Sequence, residues 1–387
     1  MYMKQSIKIL VLGSPYDGHV ARFVKYIKQE NPNIEMDLFG LERPNEIISI
    51  ECKDNVGRIG LAELKSHKIK NKYFRVANDI KEAKKSFHIF VANQKFDIAI
   101  IHAPSLLHVF LLHDLKKVVN KIVLTPWGSD VYRISRIERL FLNTLYKSAD
   151  IVTGNGLRFT KDFMSIYNIP DYKFRCLSLG GDDIDYFMEH KMEFSTNDAK
   201  RYFGIDEDSY VITCGYNGNP AQQHLKILES INKVIGQLPS KLLLFFPFTY
   251  GGTKEYRESV KDEVRKFGFH ACYVEEYLDL KELFLLRLAT DMFIHIQTTD
   301  ANNGSLKHYV WLEKNVINGS WLKYDDIEID GYIPYHITPS IDKLGNTILD
   351  AYNKGPICVN EKTKRTIEHY GYKYLAPKWV EMFESIV

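Results

Sequence analysis

Short runs that are apolar on both faces alternate with amphipathic helical stretches along this chain, and the alternation restarts halfway. Ile7–Leu12 is the first such run, followed by Met36–Phe39, Asp97–His102, Lys121–Thr125 and Ala149–Thr153. The second half repeats the pattern with Tyr210–Cys214, Leu242–Phe246, Ala271–Glu275 and Met292–Ile296, and Val316 and Ile317 open one more. After the first run, Val20, Phe23, Val24 and Ile27 fall at i, i+3, i+4 and i+7, the stripe of a helix packed on a sheet. Apolar strands separated by helices form parallel sheets covered on both faces. A chain of 387 residues exceeds one ordinary core and fits two such domains. The expected fold class is therefore α/β, with two Rossmann-like parallel-sheet domains. Cys52–Lys95 is charged and gives no periodicity that assigns it.

Composition removes several classes of function. Hydrophobic residues make up 45% and charged residues 26%, as in soluble globular proteins. A net charge of +2 supplies no basic field for nucleic acid, so no nucleic-acid partner is expected. No apolar run approaches the roughly 18 residues that span a bilayer. Met1 runs into the Ile7–Leu12 strand without the apolar stretch of a signal peptide, so a cytoplasmic location is expected. Cys52, Cys176, Cys214, Cys272 and Cys358 are dispersed without metal spacing and read as reduced thiols.

The polar residues that break the pattern sit where strands end. In the first half these are the loops Gly13–His19, with Asp17, Gly18 and His19; Ile101–Ser105, with His102; and Thr125–Asp130. Parallel strands deliver such loops to one edge, where α/β sheets bind ligands. Each loop also has a plain structural reading. A strand-end His is commonly a satisfied core residue, and Asp130 fits a cap for a helix with the apolar face Ile137, Leu140, Phe141 and Leu145.

In the second half, Tyr210–Cys214 leads into Gly215-Tyr216-Asn217-Gly218-Asn219-Pro220, with Asn219 as N-cap and Pro220 as first helical residue. Such a turn either cradles phosphate or merely connects strand to helix. It is neither a Walker loop nor a dinucleotide fingerprint. Farther on, Thr298–Ser305 carries Asp300, Asn302, Asn303, Gly304 and Ser305; Ser305 reads as the N-cap of a helix over Leu306–Lys314. Asp300 and His308 stand eight positions apart, a spacing that suits two side chains reaching one ligand.

Several of these stretches resemble GT-B glycosyltransferases, including glycosyltransferase family 4. FDIAIIHAP (96–104), LTPWGSDVY (124–132) and KSADIVTGN (147–155) are similar to acceptor-domain motifs of that family, with Trp127 where many relatives have an active-site His. LSLGGDDIDYF (177–187) resembles the family's interdomain hinge, a reading preferred to a metal-binding DxD motif for Asp183-Ile184-Asp185. GYNGNPAQQHLKILESI (215–231), LLLFFPFTYGGTKEYRESV (242–260) and VEEYLDLKELFLLRLATDMFIHIQ (274–297) resemble the donor domain of the bacterial fucosamine transferases that build enterobacterial common antigen. Asp300 and His308 occupy the places of two Glu common in retaining members, and Glu313 falls where the family usually has Gly.

The resemblance implies a GT-B fold whose two Rossmann-like domains face across a cleft. Residues 1–178 would be the acceptor domain, 179–362 the nucleotide-sugar donor domain, and 363–387 a C-terminal helix crossing back to the first. It implies transfer of a hexosyl or N-acetylaminodeoxysugar unit from a nucleotide-sugar to a glycan or lipid-linked acceptor in bacterial surface polysaccharide synthesis. No metal or other cofactor is expected. Gly215, Asn217, Gly218 and His224 would face the diphosphate; Thr249, Tyr250 and Glu276 would lie near base and ribose; Asp300, Asn303, Gly304, Ser305 and His308 would surround sugar and phosphates. His224, Lys307 or an Arg of the first domain would replace the usual basic residues, which Gln222 and Gln223 do not supply. An inverting enzyme needs a base on the acceptor hydroxyl; Asp17 and Asp130 rank ahead of His102 and His19. The fucosamine-transferase likeness points to inversion, the wider motifs to retention. The Lys65–Arg75 cluster with Lys116, Lys117 and Lys121 reads first as solvated surface, and otherwise as peripheral contact with anionic headgroups at the inner face of a membrane. The alternative is a catalytically inactive nucleotide-binding partner subunit.

Overall fold

The computed structural model describes residues 6–42, 48–62, 64, 72–132, 134–154, 156–300 and 303–387. The chain forms two compact units. The first joins Met1–Gly181 to Tyr372–Val387, and the second is Asp182–Gly371.

The first unit is built on β1 (Ile7–Leu12), β2 (Ile34–Gly40), β3 (Ile59–Leu61), β4 (Phe96–His102), β5 (Val119–Thr125), β6 (Ile151–Thr153) and β7 (Phe174–Arg175). They lie in the order β3-β2-β1-β4-β5-β6-β7, every pair parallel. Strand order reverses between β1 and β4, where Leu12 pairs with Ile101. His102 pairs with Thr125 one strand over, so three polar loops leave the sheet side by side. Such a reversal opens a crevice at the carboxyl ends of the strands. Asp17 then caps the helix Gly18–Glu30, accepting from the amides of His19 and Val20 and satisfying donors that the first turn would otherwise waste.

The second unit repeats the plan with β8 (Tyr210–Cys214), β9 (Leu242–Pro247), β10 (His270–Val274), β11 (Met292–His295), β12 (Asn315–Gly319) and β13 (His336–Thr338). The order is β10-β9-β8-β11-β12-β13, again all parallel, and the reversal falls between β8 and β11.

Three expectations change. The C-terminal segment is two helices, not one. Glu361–Glu368 belongs to the second unit and Tyr372–Ile386 to the first. They part at Gly371, where a Cβ would stand 2.1 Å from Asp185 Oδ1. Tyr372–Ile386 completes the first core: Trp379 is fully buried, meets Phe23 edge-to-face at 5.1 Å and donates to the Ser178 carbonyl, while Tyr372 stacks on Tyr26. Second, the unassigned charged stretch holds a 19-residue helix, Lys72–Phe90. Third, the apolar face expected on Arg136–Ser148 divides. Leu145 is buried, but Ile137, Leu140 and Phe141 are 68%, 72% and 46% exposed.

Most of the Lys65–Arg75 cluster lies outside the described residues. Lys117 pairs with Asp114 at 3.2 Å and Lys121 with Asp150 at 3.5 Å. Among the described residues no helix is long and apolar enough to cross a membrane.

Candidate functional site

At the carboxyl edge of the second sheet, the loops after β8 and β9 touch through backbone. Gly218 donates its amide to the Tyr250 carbonyl at 2.8 Å. Glycine is required on both sides: a Cβ on Gly218 would come within 2.8 Å of the Gly251 carbonyl, and one on Gly252 within 1.9 Å of the Gly218 carbonyl. Arg257 donates to the same Gly251 carbonyl and fixes the turn. Asn217 bonds the amide of Asn219, and its side chain and the Arg287 charge act on the half-exposed Tyr250 hydroxyl. Asn219 caps as expected, but only a 3-10 turn, Pro220–Gln222. Gln223 adopts φ +61°, and the α-helix starts afresh at His224. The amides opening that helix are thus separated from the turn.

His224 is fully buried, and burial lowers its pKa to about 4. Neutral at physiological pH, it brings no cation to a diphosphate. Its Nδ1 meets Tyr256, and its Nε2 lies where a Cβ on Gly215 would come within 3.2 Å. Thr249 is half-buried after β9; Glu276 is exposed beyond the edge strand β10.

The loop after β11 is tied down by amides. Gln297 accepts from Tyr216 and Gln222 and donates to the Thr299 carbonyl, while Trp321 donates to the Gln297 carbonyl. Asp300 turns back into the domain. Its Oδ2 lies 3.1 Å from His295 Nε2 and accepts from the Tyr324 hydroxyl, whose pKa is raised by burial and by this carboxylate. His295 donates through Nδ1 to Asn318 Oδ1, because Asn318 Nδ2 already serves the Leu322 carbonyl. His308 is buried on other partners: Nε2 is 3.4 Å from Asp183, and the ring meets Phe187 edge-to-face. Asp300 and His308 are therefore engaged separately. Lys307 is buried against Asp326 at 2.8 Å and the Tyr370 ring.

The helix N-terminus is two residues earlier than expected. Asn303 is the N-cap, accepting from Ser305 N at 2.6 Å, and the helix is Gly304–Trp311. Gly304 is exposed, and Asn303 and Ser305 are half-exposed. Behind them stands Arg287, from the helix Leu280–Ala289, bonded to the Ser305 and Tyr309 hydroxyls. Sequence reasoning passed over Arg287, His295 and Tyr324. The one available signal was a lone cation amid the apolar run of LFLLRLA (283–289).

In the first unit, Asp17 is half-exposed and His19 exposed, its ring 5.4 Å from Trp127. His102 is buried, and desolvation with the nearby His19 charge lowers its pKa to about 3. Thr125 donates to the Ile101 carbonyl and also meets His102 Nδ1. Both contacts hold at once only when Nδ1–H is the donor, which leaves buried Nε2 as an acceptor without a partner. Asp130 Oδ1 accepts from the amides of Trp127 and Gly128, while Oδ2 is buried with no partner among the described residues. Burial raises its pKa to about 6 against those two amides.

Neither a protein-family model nor a curated protein sequence matches the chain. Solved structures do. Sucrose-phosphate synthase from Thermosynechococcus elongatus is similar with a TM-score of 0.74 at 10% identity, covering 98% of each chain. A glycosyltransferase from Rickettsia africae gives 0.71 at 13% identity over 99% of each. Anabaena HepE in complex with UDP and glucose gives 0.71 at 10% identity, over 98% of this chain and 100% of its own. Together with the two parallel sheets, these matches establish the GT-B fold.

Proposed function

We propose that this chain is a glycosyltransferase that moves a hexosyl or N-acetylaminodeoxysugar unit from a nucleotide-sugar to a glycan or lipid-linked acceptor, as in bacterial surface polysaccharide synthesis. One observation carries the reading. The turns after β8 and β9, joined by the Gly218 amide and the Tyr250 carbonyl, and the N-terminus of the helix Gly304–Trp311 stand at one edge of a sheet, at its topological switch point. Leaving diphosphate gains negative charge, and pre-set donors stabilise it. The fold is shared with a protein solved with UDP and glucose, and 210–320 follows the motif order of fucosamine transferases.

In this reading Asn217, Gly218 and Tyr250 bind the nucleotide, while Asn303, Gly304 and Ser305 receive the diphosphate. His295, Asp300 and Tyr324 hold the loop between them. Asp17 takes the acceptor proton if the reaction inverts, since His102 is buried and Asp130 is half-buried with Oδ1 on the Trp127 and Gly128 amides. Asp17→Asn is then expected to lower kcat by about 10²- to 10⁴-fold. Donor affinity should stay unchanged in a titration.

A thermal-shift screen against UDP, GDP, TDP, CDP and their sugars tests the proposal. A ligand at 100 times its Kd stabilises by about 2.7 kcal/mol. A selective shift with turnover supports it; a shift without turnover or donor hydrolysis supports an inactive partner subunit. Absence of any shift counts against a donor site.

A further inference from the structure

We propose that Arg287 and Ser305 form an anion subsite in which a buried guanidinium, acting through the Ser305 hydroxyl, supplies the positive charge for the donor's diphosphate. The assignment rests on the donor-site reading above and adds the cation that reading lacks. Arg287 is 3% exposed. Nη1 donates to the Tyr309 hydroxyl at 2.9 Å and Nη2 to Ser305 Oγ at 3.0 Å, but Nε is buried without a partner among the described residues. The guanidinium also lies over the Tyr309 ring, 4.7 Å from its centroid. No carboxylate among the described residues pairs with it. Asp300, the carboxylate that acts on the same Tyr250 hydroxyl, is held by His295 and Tyr324.

A charge taken out of water without a counter-ion is costly, and neutral hydroxyls do not balance it. A purely structural tie between these helices would need no charge. Because Ser305 Oγ accepts from Arg287, its own proton is left to donate, and no described residue takes it. Ser305 is half-exposed in the first turn of an eight-residue helix, so that proton and the helix amides address the same space. The buried cation strengthens both donors there, as charged partners do. His224 and Lys307 do not fill this role, the first being neutral and the second already paired. Arg287 is thus a positioning residue, and Ser305 the contact.

The test titrates wild type, Arg287→Met, Arg287→Lys and Ser305→Ala with inorganic pyrophosphate, the nucleoside diphosphate selected in the screen, and its nucleoside. Arg287→Met should weaken pyrophosphate and nucleoside diphosphate by about ten- to a hundredfold and leave the nucleoside unchanged. Its melting temperature should hold or rise, since removing an unbalanced buried charge is no loss to the empty protein. Arg287→Lys should recover part of the affinity, and Ser305→Ala should lose about tenfold with the fold intact. If wild type binds pyrophosphate in an Arg287-dependent way but no nucleotide, the subsite stands and the donor reading falls. Equal binding by wild type and Arg287→Met overturns the subsite while leaving the donor reading intact. If Arg287→Met does not fold, unchanged pyrophosphate affinity in Ser305→Ala overturns it, as does a wild type that binds no pyrophosphate.

Discussion

Two carboxylates of similar appearance in the sequence have opposite situations. Asp130 is held above its ordinary 3.8, at about 6, by burial, one oxygen meeting no partner among the described residues. An acid with a raised folded pKa favours the native state fully below 3.8, and that contribution is lost as pH rises through 6. A shift of about two pKa units is on the order of 3 kcal/mol. Asp130→Asn keeps an oxygen for the Trp127 and Gly128 amides but does not ionise. Urea unfolding at pH 4 and pH 7.5 should show the variant losing less stability over that span than wild type; parallel trends would refute the assignment. Asp300 instead anchors His295 and Tyr324. Asp300→Ala takes this partner from His295 Nε2 and from the Tyr324 hydroxyl, both buried, and should cost about 3 kcal/mol of unfolding free energy, read as a lower denaturant midpoint at constant slope. Spacing alone suggested that Asp300 meets a ligand with His308. It cannot show which way a side chain turns, and the partners that turn this one lie in a strand that reads as core and in a Tyr 24 positions on.

Elements were legible where burial is two-sided. β1, β4, β8 and β11 are covered on both faces, so their residues are nearly all apolar and the runs stand out. The edge strands β3, β7 and β13 span two or three residues and are partly solvated, which leaves no run to see. Lys72–Phe90 escaped because a charged 19-residue helix shows only a faint stripe. The turn into β12 is strained. Glu313, which the resemblance aligns with a Gly, adopts φ +54°, unfavourable for a residue with a Cβ. Its carboxylate is 3.2 Å from Lys364 and accepts from the Val359 amide. A half-exposed pair of this kind contributes little. Glu313→Gly should therefore leave stability unchanged or raise it by up to about 1 kcal/mol. A clear fall in melting temperature would show that the Lys364 and Val359 contacts outweigh the strain.

The first unit is sequence-discontinuous, because its last helix arrives after the whole second unit. Ending the chain at Gly371 removes Tyr372, Trp379 and Phe383 from the core beside Phe23. Loss of one buried large aromatic costs about 3–5 kcal/mol. Losing three approaches the whole stability of a typical domain. The truncated chain should show no cooperative unfolding of the first unit by hydrogen exchange, while the second keeps its own cooperative protection. Retained protection in β1 and β4 would contradict this.

The same discontinuity matters during synthesis. Helix Gly18–Glu30 emerges early, but its cover waits for the rest of the first unit and then for the 190 residues of the second, 182–371. At about 5–20 residues per second the ribosome takes roughly 10–40 s over that insert. For that interval the nascent chain carries an open apolar seam, a natural landing place for chaperones, and the codons for Tyr372–Ile386 decide whether the first unit closes.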